Sequence, residues 1–192
     1  MRPGLLLDRD GVINEESHYL HDPKDLVMIP GVDKAIAEIN QWKIPVVVVT
    51  NQAGIGRGMY GVEAYRSVNR AIADHLAKAG AHIDAWYFCP HAPQEACLCR
   101  KPLPGMLIEA AKDLGLDLRA SFLVGDKASD LEAARAAGCR TVLVRTGYGQ
   151  QVEKDLLAAG KSGLFDCCCD SLLAALSFLK ARLAKRSATE SQ

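Results

Sequence analysis

Asp8-Arg9-Asp10-Gly11-Val12 stands directly after three leucines, Leu5-Leu6-Leu7. Two carboxylates two residues apart can converge on one ligand where an apolar run gives way to a turn, and Gly11 lets the backbone turn. Such a pair can hold a hard cation such as Mg²⁺, which takes oxygen ligands. One carboxylate can attack as a nucleophile while its neighbour serves as acid or base. Taken alone, the same residues also describe a solvated acidic turn. Three further segments have the same character. Thr50-Asn51-Gln52 follows Val46-Val47-Val48-Val49 and offers a hydroxyl and two amides to phosphoryl oxygens, or else a capped polar turn. Arg100-Lys101-Pro102 offers a planar fork and a point charge to a phosphate, or else a solvated basic loop. Gly125-Asp126-Lys127-Ala128-Ser129-Asp130 follows Phe122-Leu123-Val124 and supplies a third carboxylate in Asp126. Asp130 falls where a helix would begin, a place that favours an acid for the helix dipole alone.

The apolar runs explain how such distant residues would meet. Leu5 to Leu7, Val46 to Val49, Ile83 to Phe88, Phe122 to Val124, Thr141 to Val144 and Leu164 to Cys169 read as six strands. The clearest lack in/out alternation, as strands covered on both faces of a parallel sheet do. Between them lie helical patterns over Val32 to Trp42, Val62 to Ala79, Met106 to Leu114, a segment opened by Ser129 with Glu132 as its capping box, and Ser171 to about Lys185. Strand–helix alternation predicts an α/β fold: a Rossmann-like, open, mostly parallel sheet with helices on both faces. Ligands on such sheets bind beyond the carboxyl ends of the strands, which is where each of the four polar segments falls. A phosphoryl group is anionic, so carrying it to carboxylates requires cations; Mg²⁺ and Lys101 would supply them.

The ordered set Asp8-Arg9-Asp10-Gly11-Val12, Thr50, Lys101 and Gly125-Asp126 with Asp130 resembles the four motifs of haloacid-dehalogenase-like phosphatases, from Leu5 to about Gln150. The resemblance implies Mg²⁺ and an aspartyl-phosphate intermediate. Asp8 would attack phosphorus, and Asp10 would protonate the leaving oxygen and then activate water. Mg²⁺ would be held by Asp8, the Asp10 main-chain carbonyl and Asp126, and the transferring group by Thr50 and Lys101.

Cys89-Pro90-His91 and Cys97-Leu98-Cys99 place four soft or borderline ligands within eleven residues. That spacing suits a tetrahedral structural Zn²⁺ held by Cys89, His91, Cys97 and Cys99, with no position left for water. A buried-thiol loop or a redox pair at Cys97 and Cys99 is the other reading. The clip would brace a loop over 89–102 and orient Arg100 and Lys101. With this loop the chain resembles the branch of the superfamily that contains heptose-bisphosphate and histidinol-phosphate phosphatases. Asn14 to Tyr19 is similar to the heptose branch's substrate loop, with Glu16 and Tyr19 in matching places. Ser17, His18, Thr50-Asn51-Gln52-Ala53, Arg100, Lys101 and Lys127 complete the implied substrate set. Val12 and Ala53 depart from the pattern, where Thr and Ser are frequent, and Ala53 lacks a hydroxyl. The implied activity is removal of the 7-phosphate of D-glycero-D-manno-heptose 1,7-bisphosphate for lipopolysaccharide or other surface polysaccharide precursors, with histidinol phosphate as the alternative substrate. The branch is capless, and no segment between the motifs is long enough for a cap. Substrate choice then falls to Asn14–Leu20, Gly54–Gly58 and the zinc loop.

The 192 residues suit one domain over 1–186, with 187–192 as a frayed tail. Lys plus Arg and Asp plus Glu each total 23, so the formal net charge is zero. That argues against a general nucleic-acid or anionic-membrane binder. No apolar run approaches the roughly 18 residues of a spanning helix, and Asp8 cuts the leucine run too early for a secretory signal. A cytoplasmic chain, monomeric unless the Leu-rich last helix forms a seam, is expected. Gly56 to Gly61 spells G-x-G-x-x-G but lies beyond Thr50-Asn51-Gln52, and about 20 residues on there is no acid at a strand end, only Asp84 near a strand start, so it reads as a substrate loop. A signalling receiver would need its acceptor Asp at the third strand's end, where Cys89 stands. A zinc-stabilised interaction module would not need Asp8, Asp10, Thr50, Lys101 and Asp126 together. Cys167-Cys168-Cys169 alternates across a strand and cannot make one metal site.

Overall fold

The computed structural model describes residues 1–187, with side chains described as far as Leu183. Six parallel strands form one sheet in the order β3-β2-β1-β4-β5-β6. They are β1 (Leu5–Leu7), β2 (Val46–Asn51), β3 (Ala85–Cys89), β4 (Phe122–Gly125), β5 (Arg140–Val144) and β6 (Cys167–Cys169). Helices α1 (Val32–Gln41), α2 (Ala53–Gly56), α3 (Val62–Lys78), α4 (Gly105–Leu114), α5 (Ala128–Ala136), α6 (Gly149–Ala158) and α7 (Leu172–Ser187) connect and follow them. Every pairing in the sheet is parallel.

Strand alternation divides the core. Leu5, Leu7, Val46, Val48, Phe122 and Val124 face α1, α3 and α7. Leu6, Val47, Val49 and Leu123 face α4 and α5 on the other side. Both faces are covered, so the strands are apolar throughout; each fully buried leucine or valine contributes about 1.5–3 kcal/mol. Residues Cys167 and Cys169 join the first cluster and Cys168 lies on the opposite face with Leu131 and Leu143, the alternation that the sequence implied.

The structure departs from the sequence reading in several elements. Residues Ser162–Leu164 form a 3-10 turn instead of the start of the sixth strand. The Leu164 carbonyl accepts from Thr141 Oγ1 at 2.7 Å and from Arg135, so side chains take what a strand ladder would use. Helix α5 starts at Ala128 with Lys127 as its N-cap, and the carboxylate of Asp130 in the first turn accepts the Lys127 N–H at 3.0 Å. The Ser129–Glu132 box is not the cap. Helix α6 was not expected, because a stripe of only Val152 and Leu156 packs it onto Leu131 and Leu143. Helix α2 is one turn carrying two glycines, a composition that hides it from helix patterns. The expected tail begins one residue inside α7, at Ser187; 188–192 lie outside the described residues. No helix among the described residues is long and apolar enough to cross a membrane.

Candidate active site

Strands β1 and β4 lie side by side with Leu7 opposite Val124, so Asp8 and Asp126 leave the sheet together. The Asp8 N–H donates to the Val124 carbonyl at 3.0 Å, extending the ladder by one residue into the site. Gly11, at φ +89°, packs so closely that a Cβ there would lie 2.2 Å from Asp126 Oδ2. Side-chain oxygens of Asp8, Asp126 and Asp130 all lie within 4.8 Å of one another, and all three residues are buried. Lys101 reaches the same spot, its Nζ 3.0 Å from Asp8 and 2.6 Å from Asp130, while donating to the Val49 carbonyl at 2.8 Å.

The electrostatics of this floor are those of a site built for a cation. Burial pushes the Asp126 carboxyl up to about 8 against the pull of Lys127, and nearby Asp8 and Asp130 add to the rise. Asp8 is also raised, by burial first and only partly offset by Lys101. Asp126 Oδ2 accepts the Tyr148 N–H at 2.9 Å, but buried Oδ1 has no hydrogen-bond partner. A buried carboxylate oxygen without a donor, beside other carboxylates, is the hard oxygen donor set that suits Mg²⁺.

Asp10 has a different setting. Its carboxylate takes the Arg9 guanidinium at 2.9–3.1 Å, the Asn14 amide at 2.9 Å and the Gln52 amide at 3.0 Å. Burial would raise its pKa, yet Arg9 and Asn14 more than offset this and hold it below the ordinary value. Arg9 is itself fully buried, bonded to Asn69 and set against the Tyr65 ring. The loop after β2 serves this framework. Gln52 also donates to Thr50 Oγ1 at 3.0 Å and accepts from the Tyr60 hydroxyl at 2.7 Å. Asn51 exchanges two hydrogen bonds with the Lys101 backbone, at 3.0 and 3.1 Å, so its amide places Lys101.

Above the floor opens a cavity of about 390 Å³. Of the expected substrate residues, Glu16, His18, Tyr19, Asn51, Gln52, Ala53, Arg100, Lys101 and Lys127 line it. Thr50 is buried beneath Gln52, and Ser17 is exposed and outside the wall. Lys127 bridges to Glu16 at 2.7 Å. Arg57, on the G-x-G-x-x-G loop, hydrogen-bonds the Tyr19 hydroxyl and sits 5.7 Å from that ring's centroid. Arg57 and Tyr60 line the cavity from the glycine-rich segment expected to form a substrate loop, whereas Tyr148 lies in no segment that the sequence singled out.

The second expected ligand cluster also converges. Cys89, His91, Cys97 and Cys99 bring their donor atoms within 4.8 Å of one another, and none is in a disulfide. A tetrahedron with bonds of about 2.3 Å to sulfur and about 2.0 Å to nitrogen has edges of about 3.8 Å between sulfurs and about 3.5 Å between nitrogen and sulfur. The observed edges are 3.7 Å for Cys89–Cys97, 3.5 Å for Cys89 to His91 Nδ1 and 3.3 Å for His91 Nδ1 to Cys99. The donor set therefore fits zinc in both chemistry and size. Arg100 follows Cys99 directly and donates to the His91 carbonyl at 3.3 Å, tying the cavity wall to the cluster.

Comparison with known proteins places the chain in a family. A HAD-hydrolase-like family model matches residues 98–172. The D-glycero-β-D-manno-heptose-1,7-bisphosphate 7-phosphatase of Yersinia pestis is 43% identical over 164 residues, covering 81% of this chain and 87% of that protein. The crystal structure of the D,D-heptose 1,7-bisphosphate phosphatase of B. bronchiseptica, complexed with magnesium and phosphate, superposes with a TM-score of 0.82 at 35% identity, covering 98% of this chain and 99% of that one. The enzyme of the same name from Burkholderia thailandensis gives 0.69 at 35% identity, covering 93% and 99%. The chain therefore belongs to the haloacid-dehalogenase-like phosphatases, phosphoric monoester hydrolases, in the family of the heptose-1,7-bisphosphate 7-phosphatases.

Proposed function

We propose that this chain removes the 7-phosphate of D-glycero-D-manno-heptose 1,7-bisphosphate, with Asp8 as the nucleophile. The observation that carries this reading is the position of Asp8. Its carboxylate is buried at a strand end, among two further carboxylates and 3.0 Å from Lys101, which with Asp10 lines the cavity beside it. Asp8 forms a bond to phosphorus as the ester oxygen leaves, and water then cleaves the acyl phosphate. Lys101 holds a phosphoryl oxygen and offsets the charge that gathers there. Asp10 moves the proton in both halves. Its pairing with Arg9 favours the carboxylate, the form that activates water, and works against protonation of the leaving group. Mg²⁺ bound by Asp8 and Asp126, with the Asp10 carbonyl, would neutralise the carboxylates and the phosphate so that they can approach. Zn²⁺ on Cys89, His91, Cys97 and Cys99 would be structural.

The rim favours a substrate with a second anionic end. Arg57, Arg100 and Lys127 line the cavity, which suits the second phosphate of a bisphosphate better than the cationic end of histidinol phosphate. A cytoplasmic role in surface polysaccharide precursor supply follows from this substrate. The test is phosphate release with Mg²⁺ from the heptose bisphosphate, histidinol phosphate and an aryl phosphate. The bisphosphate is expected to give the highest kcat/KM by at least about tenfold. Preference for histidinol phosphate would overturn the assignment.

A further inference from the structure

The segment after β5 belongs to none of the phosphatase motifs, yet it closes one side of the site. Thr146 donates its hydroxyl to the Gly11 carbonyl at 2.6 Å, and Gly147 lies against Gly11 and Asp126. This clamp sets out the Tyr148 side chain beside the cavity, its ring centroid 5.3 Å from Lys127 Nζ and 6.5 Å from the His18 ring. A second cavity of about 500 Å³ lies on the other side of Glu16, His18 and Tyr148, which line both spaces. The two cavities differ in chemistry. The first is lined by Arg9, Arg57, Arg100, Lys101 and Lys127 as well as Asp10 and Glu16, whereas the second is walled by Glu15, Glu16, Ile29 and Pro30 and, among the described residues, has no lysine or arginine lining it. An anionic group is stabilised in the first and repelled in the second.

We propose that Tyr148 is a specificity-determining residue: with His18 it forms the partition that keeps the far end of the substrate on the cationic side and denies it the acidic, apolar cavity behind. This rests on the phosphatase reading of the site and adds to it how one class of phosphate ester is chosen. The partition selects against esters whose far end is neutral or cationic, because these gain most from the second cavity. Tyr148 touches Asp126 only through its backbone N–H, so replacing the side chain leaves that hydrogen bond available.

The test compares kcat/KM on the heptose bisphosphate, p-nitrophenyl phosphate and O-phosphoethanolamine for wild type, Tyr148→Phe, Tyr148→Ala and His18→Ala. Tyr148→Phe keeps the ring and is expected to retain the wild-type ratios. Tyr148→Ala and His18→Ala are each expected to lower the ratio of bisphosphate to phosphoethanolamine by about tenfold or more. Loss on all three substrates in equal proportion would overturn the proposal and make Tyr148 a support for Asp126 alone. Unchanged ratios in both alanine variants would also overturn it. If wild type does not cleave the heptose bisphosphate, the substrate assignment fails separately, and fructose 1,6-bisphosphate takes its place as the doubly anionic ester in the same comparison.

Discussion

Asp8, Lys101, Asp126 and Asp130 are buried almost completely and are held to one another or to backbone, whereas Glu16, His18, Tyr19 and Arg57 stand on loops and line the cavity. The floor is fixed by the sheet. Asp8 and Asp126 leave strand ends, Lys101 is tied to one, and Asp130 meets Lys101 from the first turn of α5, with parallel register setting Asp8 beside Asp126. The rim is fixed by pairs of long side chains, such as Lys127–Glu16 and Arg57–Tyr19, and by the cysteine cluster behind Arg100. Rim positions can change without moving the reacting groups. A fold of this kind can therefore keep one chemistry while exchanging substrates.

If that division is correct, changes in the floor should abolish turnover on every ester. Asp8→Asn removes the proposed nucleophile but keeps the side-chain shape, and a loss of about 10³-fold or more in phosphate release is expected with all substrates. Near-normal turnover would show that Asp8 is not the nucleophile. Gly147→Ala is the next largest. The residue sits at φ +56°, and an added Cβ would lie 2.1 Å from Asp126 Oδ2 and 2.8 Å from the Gly11 Cα. Asp126 must move, and displacement of about 1 Å at a catalytic constellation can cost about 10²-fold. The left-handed backbone adds about 1–2 kcal/mol of strain, which lowers Tm by about 2–8 °C. A variant with unchanged Tm and activity would mean that the loop after β5 does not brace Asp126.

The two regions also differed in how far the sequence revealed them. Asp8, Lys101, Asp126 and Asp130 were legible because each follows or opens a regular element, and strand ends of an open parallel sheet share one edge. The four zinc-type ligands were legible because they lie within eleven residues. Tyr148 was not, since its place depends on how the loop after β5 folds over Gly11, a contact 135 residues apart along the chain. Asn51 was assigned to substrate by residue type, but its amide is bonded to the Lys101 backbone. Residue type shows what a group can bond to, and only the fold shows which partner is nearer. The fold itself was read well where apolar runs were long and poorly at α6 and β6, where two apolar side chains or a few side-chain hydrogen bonds settle the outcome.

The cysteine cluster tests the boundary between the regions, because it touches both. Cys99→Ser is expected to reduce bound zinc from about one per chain to near zero and lower turnover by about 10- to 100-fold, since Arg100 and Lys101 follow it directly. Metal analysis by mass spectrometry, read beside the melting temperature, checks this. A folded wild type that binds no zinc would remove the structural clip. Arg100→Ala should have the smallest effect and discriminate most finely. Its guanidinium lines the cavity mouth and is anchored to the His91 carbonyl, away from the Asp8–Lys101 pair. The bisphosphate should lose about tenfold in kcat/KM, equivalent to about 1.4 kcal/mol, while an aryl phosphate without a second charge changes little. Equal losses on both would place Arg100 on the transferring phosphate itself, and the line between floor and rim would then fall on the solvent side of that residue.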